Sequence, residues 1–140
     1  MKLVVDTNTL ISGALWPGPP ARLLSAVLKG QAQLFLSLSL LLEFRETLQR
    51  PRFAQRLAGS GETPESLMIR FRAACHEAVP ARIITPPGLR DPDDAHVLAC
   101  ATGIAADAIV TGDKDLLALK SFESIPIITA RVALEKLGLT

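Results

Sequence analysis

Four acidic side chains stand where this chain could gather them into one reactive centre. Asp6 closes the apolar run Leu3-Val4-Val5, and Asp113 follows Ile109-Val110-Thr111-Gly112. Asp94 falls in the first turn of the helical stretch opened by Asp91-Pro92-Asp93-Asp94, and Glu43 falls in the helical stretch after the run Gln33–Ser37. If the strands ending at Asp6 and before Asp113 are neighbours, their ends lie about 4.8 Å apart and both carboxylates reach one ion. Four carboxylates held together without a cation repel. Each pair at ~4 Å costs about 1 kcal/mol in water and up to ~4 kcal/mol at an effective dielectric near 20. A hard divalent ion, Mg²⁺ or Mn²⁺, relieves this by taking oxygen ligands while keeping several waters.

Each acid also has an ordinary structural alternative. Asp94 could complement the helix dipole, an effect worth only ~0.3–1 kcal/mol. Asp113 could cap the short helix Lys114–Leu119. Glu43 lies between a polar edge (Ser39, Glu46, Thr47) and residues that suggest burial, Leu40 and Phe44. Asp6, followed by Thr7-Asn8, has no structural duty evident from sequence, which favours a functional reading.

The elements that must position these residues alternate. Strands are expected at Lys2–Asp6, Gln33–Ser37, Arg82–Thr85, Ala108–Thr111 and Ile125–Ile128. The first, fourth and fifth are nearly continuous apolar runs, as in strands buried on both faces. Helices are expected at about residues 20–29, 38–49, 64–78, 93–102 and 130–138, with stops at Gly30, Pro51, Pro80 and Gly103. Asp91 reads as an N-cap with Pro92 at the first helical position. Gly59-Ser60-Gly61 reads as a loop between helices. The pattern predicts one domain over residues 1–140, a three-layer α/β/α sandwich around a parallel sheet of four to five strands. In such sheets ligands bind at the carboxyl ends of the strands, where the strand order reverses.

Charge is distributed unevenly. Residues 45–90 carry eight arginines against four glutamates, whereas residues 91–140 carry four basic and eight acidic side chains, although the whole chain is only +1. One segment can attract phosphate while another collects cations. Cys75 and Cys100 have no paired spacing, which excludes a disulfide framework or zinc site on sequence grounds, and Cys100 reads as a buried inert thiol. The start MKLVVDTN has no long apolar region, and the run Leu34–Leu42 is too short to span a bilayer. A soluble cytoplasmic protein is the expectation.

The strings VVDTNTLIS, LLLEFRETLQRPRF, DPDDAHVLACA and ADAIVTGDKDLL resemble the successive signatures of PIN domains, in the branch of VapC-like toxin components of toxin–antitoxin pairs. The resemblance runs from Lys2 to about Leu137. It implies a metal-dependent endoribonuclease that hydrolyses RNA phosphodiester bonds to 5′-phosphate and 3′-hydroxyl ends. Its acids fall on Asp6, Glu43, Asp94 and Asp113, with Asp115 a further metal ligand and Asn8 and Thr111 as supporting residues. Asp91 and Asp93 compete with Asp94 for the third position. Asp94 is preferred because its spacing to Val97, Leu98 and Ala101 turns it to the sheet-end side of its helix.

The same reading extends to binding. Arg45, Arg50 and Arg52, with Arg56, Arg70 and Arg72, are candidates to grip an RNA backbone, set against a merely solvated helical face. His76 reads as a surface or packing residue, and His96 as turned elsewhere on its helix than Asp94, so a metal-free histidine mechanism finds no support. Trp16 could stack a base or be packed or covered by a partner. A mean hydropathy of +0.31 points to a homo-oligomer, dimer or tetramer, and to a groove for a cognate antitoxin. Two other readings stand beside this one. One is a PIN scaffold that only binds RNA or a protein partner, without turnover. A haloacid-dehalogenase-type phosphatase also ends its first strand with an acid, but has a second Asp where Asn8 stands.

Overall fold

The computed structural model describes residues 1–139. Its centre is β1 (Lys2–Val5), whose Leu3, Val4 and Val5 are all buried. β1 pairs in parallel with β2 (Gln33–Leu36) on one side and with β4 (Ala108–Val110) on the other. With β3 (Cys75–Glu77), β5 (Ser121–Phe122) and β6 (Ile125–Ile128), the strand order is β3-β2-β1-β4-β6-β5. The chain goes from β1 to β2 on one side and from β4 towards β6 on the other, so the order reverses at the β1/β4 seam. Helices complete a three-layer α/β/α arrangement, as expected from the alternation.

The sheet has six strands where four to five were expected, because the fifth apolar run is preceded by a short antiparallel partner. Glu123 and Ser124, both in the left-handed region (φ 49° and 65°), make the two-residue turn that pairs β5 with β6. The expected strand Arg82–Thr85 is not one. That segment is irregular, bracketed by Pro80 and Pro86-Pro87, and its Ile84 is 92% exposed. The edge position goes instead to Cys75–Glu77, aligned with Leu34–Leu36 of β2. The helix expected over 64–78 accordingly stops at Ala74.

Two helices escaped the sequence reading. α1 (Thr7–Leu15) begins directly at Asp6, and α4 (Pro51–Ser60) begins at Pro51, which therefore starts one helix as well as ending another. Gly59 and Ser60 belong to α4, and the chain turns at Gly61 (φ 75°) rather than along a three-residue loop. The remaining helices are α2 (Pro19–Leu28), α3 (Leu38–Leu48), α5 (Pro64–Ala74), α6 (Pro92–Gly103), α7 (Lys114–Leu119) and α8 (Ala130–Lys136).

One apolar cluster joins the sheet to its helices. Leu3, Val4, Leu34, Leu36, Ile109 and Val110 from the strands meet Leu10, Leu23, Leu40, Phe44, Leu98 and Leu134 from the helices. Burying each such side chain is worth roughly 1.5–3 kcal/mol. Cys100 is fully buried within it, and burial pushes its thiol up to about 11, which suits the inert role expected. No helix of the described residues is long and apolar enough to cross a membrane.

Candidate active site

The β1/β4 seam places two acids side by side. Val5 lies opposite Val110, and the Asp6 amide donates to the Val110 carbonyl at 3.1 Å, extending the ladder by one bond. Here the chain leaves β1 for α1, and Asp6 is the N-cap. Its Oδ1 accepts the Thr9 amide at 3.0 Å. Its Oδ2 accepts the Thr111 hydroxyl at 2.6 Å, with both side chains buried. The Thr111 oxygen in turn accepts the Asp113 amide at 2.9 Å. Asp113 caps α7, its Oδ1 accepting the Asp115 amide at 3.3 Å.

Asp6 thus has the structural duty that sequence did not reveal, and Asp113 has the capping duty set against its functional role. Neither excludes chemistry. A carboxylate that caps with one edge is held still, and α1 directs its positive N-terminal end toward the same site.

The other two acids come from helices. Asp94 lies in the first turn of α6, which Asp91 caps by accepting the Asp93 amide at 2.9 Å, with Pro92 at the first position as expected. Asp94 is only 6% exposed, yet its Oδ2 has no hydrogen-bond partner. Glu43 projects from α3, whose N-terminus is capped by Ser37. Its Oε2 is also buried without a well-formed hydrogen bond, and the similarly placed Thr7 hydroxyl is the neighbour that favours its charged form.

All of these residues line one cleft of about 410 Å³: Asp6, Thr7, Glu43, Asp94 and Asp113, with Asn8, Asp91, Asp93 and Asp115 around them. Three of the four orphaned buried side-chain oxygens among the described residues therefore belong to residues that line this cleft. A buried polar atom without a partner costs roughly 1–3 kcal/mol.

The electrostatics follow from this crowding. Burial raises the Asp6 carboxyl above its usual range, and Asp113 adds to the effect. Burial also pushes Glu43 up to about 7, reinforced by the charges of Asp93, Asp91 and Asp6. Asp94 is driven well above the ordinary carboxylate range by burial and then by Asp113, which faces it. The donor set is entirely oxygen, anionic and partly unsatisfied. Such a site fits a hard divalent cation that takes carboxylate and water ligands, and it fits a soft thiolate-seeking metal poorly.

The structure brings Asp6, Glu43, Asp94, Asp113 and Asp115 to one cleft, with Asn8 at its mouth and Thr111 beneath it. Asp91 and Asp93 also line the cleft, so neighbourhood alone does not separate them from Asp94; burial does, since Asp91 is exposed and Asp93 half-buried. Arg45, Arg50 and Arg52 are exposed but none of them lines the cleft. Sequence reasoning missed Arg90, which lines the rim with its Nε 3.9 Å from Asp115. The acid-rich string that follows it was the available signal. It also missed Thr7 and Ser12, because α1 was not foreseen. His96 does not line the cleft, in keeping with its expected turn away from Asp94, although ligand atoms of Glu43, Asp93 and His96 lie within 4.8 Å of one another. This approach of α3 to α6 is tertiary, and no spacing within one helix discloses it.

No curated protein matches the chain. A family model described as PIN domain matches residues 2–115, which is 114 of the 140 residues and spans β1 through the first turn of α7. That interval carries Asp6, Glu43, Asp94, Asp113 and Asp115 together on a nuclease-type fold, and the chain belongs to the PIN domain family.

Proposed function

We propose that this protein is a metal-dependent endoribonuclease that hydrolyses RNA phosphodiester bonds at the β1/β4 cleft. The observation that carries the reading is the convergence of Asp6, Glu43, Asp94 and Asp113, with orphaned Glu43 and Asp94 oxygens, on a single open cleft. These four residues, with Asp115 at the side, would hold Mg²⁺ or Mn²⁺. When bound, the ion supplies positive charge at the scissile phosphate and lowers the pKa of an attacking water. The protein's own contribution is positioning. Thr111 fixes Asp6 and the Asp113 backbone at once, Arg90 offers a guanidinium at the rim, and Asn8 and Ser12 offer polar groups at the mouth.

The test is direct. Purified protein should cleave single-stranded RNA in Mn²⁺, lose activity in EDTA and regain it on adding excess Mn²⁺. Asp6→Asn should abolish cleavage with the fold kept, since Asn also caps helices. Full activity in EDTA would overturn the metal requirement. Metal binding without turnover on any RNA would leave a binding scaffold in place of an enzyme.

We further propose that the protein is the toxin of a toxin–antitoxin pair and self-associates as a dimer or tetramer in the cytoplasm. Apolar surface supports this. Leu38 and Leu42, one turn apart on α3, are exposed, as are Ile69 and Val79. Between α1, α2 and α5, a groove of about 190 Å³ lined by Leu24, Leu28, Leu67 and Phe71 has the character that an antitoxin segment would fill. Size-exclusion chromatography with light scattering, and co-purification from the native host, test both. A lone monomer at high concentration would overturn the association.

A further inference from the structure

Outside the acidic cleft, the most unusual surface feature is Trp16, the only tryptophan of the chain, just past the end of α1 and 40% exposed. It is held rather than loose. Its ring meets Phe53 edge-on, with centroids 6.2 Å apart. The Arg56 guanidinium lies 5.4 Å over the indole, while Arg56 Nε donates to the Leu15 carbonyl at 2.6 Å. Arg52 stacks over Phe53 at 4.7 Å. Both arginines come from α4, which has no acidic residue. Arg70 and Arg90 are paired with Glu62 and Asp115, but neither Arg52 nor Arg56 has a carboxylate partner among the described residues.

These residues surround two further hollows. One of about 470 Å³ is lined by Asn8, Ser12, Trp16, Arg52 and Phe53. The other, of about 530 Å³, continues past Trp16 along Arg52, Gln55, Arg56 and Ser60. Asn8 and Ser12 also line the acidic cleft, so the three hollows form one track. Asn8 and Ser12 lie on one stripe of α1, and Trp16 follows four residues later, just past the end of the helix. At 1.5 Å per residue that spacing runs about 12 Å from the mouth of the cleft to the indole.

We propose that this track is a substrate-strand subsite, in which a base of a single-stranded polynucleotide stacks on Trp16 while Arg52 and Arg56 take the neighbouring phosphates. It rests on the nuclease reading for its connection to the acidic cleft. An aromatic face beside guanidiniums that no carboxylate neutralises is the combination that binds single strands without reading sequence. The cationic, polar rim favours a polyanion over an apolar peptide. The Arg56 bond to Leu15 and its contact with the indole fix the platform in advance, so little ordering is needed on binding.

Because Trp16 is the only indole, its fluorescence reports this subsite alone. The full-length protein should be titrated with short single-stranded RNA, with DNA of the same sequence and with duplex RNA, in EDTA and again in Mn²⁺, following indole emission and the anisotropy of an end-labelled strand. Single strands should quench the indole saturably, and the RNA and DNA arms then say which sugar the track accepts. Trp16→Ala should weaken binding by about 5- to 150-fold, with Trp16→Phe losing much less. Arg52→Gln should lower the slope of log affinity against log salt by about 0.7. Thermal melts keep these comparisons among folded proteins, and Arg52 is exposed with its guanidinium over the face of Phe53.

Strands that bind by anisotropy without changing indole emission, with Trp16→Ala unaffected, would overturn the subsite and leave the nuclease reading standing. Quenching by a co-purified protein partner but not by any polynucleotide would overturn it in favour of a protein-covered indole. Quenching by single strands that are never cleaved in Mn²⁺ would support the subsite and defeat the nuclease reading.

Discussion

The Thr111 hydroxyl bridges the two strand ends of the site, donating to Asp6 Oδ2 at 2.6 Å while its oxygen receives the Asp113 amide at 2.9 Å. One buried hydroxyl therefore sets the relative placement of two acids that lie 107 positions apart. Replacing Thr111 with Val keeps the shape and removes both bonds. It leaves a buried carboxylate oxygen short of a donor and an amide short of an acceptor, each costing about 1–3 kcal/mol. Thr111→Val should lower the melting temperature by several degrees and reduce cleavage, while Thr111→Ser should keep most of both. Equal behaviour of the two variants would remove the bridge from the account.

Crowding of acids makes metal-free stability depend on pH in an unusual direction. Burial, with neighbouring charges, pushes Glu43 up to about 7 and Asp94 higher still above the carboxylate range. The folded state therefore holds protons that the unfolded chain has released above pH of about 4. The stability these groups contribute is fully present below that pH and is lost as pH rises through their folded values. In EDTA the melting temperature should fall between about pH 5 and pH 8. Saturating Mn²⁺ should flatten or reverse the fall, because the ion binds the deprotonated carboxylates. A metal-free melting temperature that climbs steadily over this range would contradict the cluster.

The sequence disclosed much of this arrangement because the seam strands are unusually plain. Leu3-Val4-Val5-Asp6 and Ile109-Val110-Thr111 are apolar runs that end in polar residues, and Asp91-Pro92 announces a helix start. What was lost has identifiable causes. Reading Asp6 only as a ligand concealed that it also starts α1, whose buried face is Thr7, Leu10, Ile11 and Leu15. Cys75-His76-Glu77 has no alternation and no β-branched residue, and it becomes a strand only because β2 offers free backbone partners along its edge. Ile83-Ile84-Thr85 has the residue types of a strand, but the flanking prolines remove donors and fix the backbone. The proximity of Glu43, Asp93 and His96 depends on how α3 packs against α6, which no local pattern encodes.

The end of α6 offers a test of packing away from the chemistry. A Cβ at Gly103 would collide with the Val79 carbonyl oxygen, where the irregular segment after β3 crosses the helix. That segment is also tied there by the Ala81 amide, which donates to the Ala99 carbonyl at 2.9 Å. Backbone cannot yield as a side-chain tip would, so Gly103→Ala should destabilise by about 1–3 kcal/mol. In a chain of 140 residues this corresponds to a drop of several degrees in melting temperature. Cleavage per folded molecule should be unchanged. An unaltered melting temperature would show that the segment is free to lift away.

The third acid of the site is decided by comparing Asp94→Asn with Asp93→Asn. Asp94 is buried, lacks a partner for Oδ2 and faces Asp113, so its charge is a liability without a cation. Removing that charge should hold or raise metal-free stability, against the loss of about 1 kcal/mol typical of a point change. Asp93 is half-buried in the first turn of α6, where its charge favours the helix dipole, and its loss should cost a few tenths of a kcal/mol up to about 1. In the parent protein, Mn²⁺ at 100 times its dissociation constant should add about 2.7 kcal/mol and raise the melting temperature by several degrees. Asp94→Asn should lose most of that rise, and Asp93→Asn should lose less. If Asp94→Asn instead lowers metal-free stability and responds to Mn²⁺ like the parent, Asp94 serves the helix and not the ion. A lost metal response in Asp93→Asn alone would then transfer the third position to Asp93, beside Glu43 and His96.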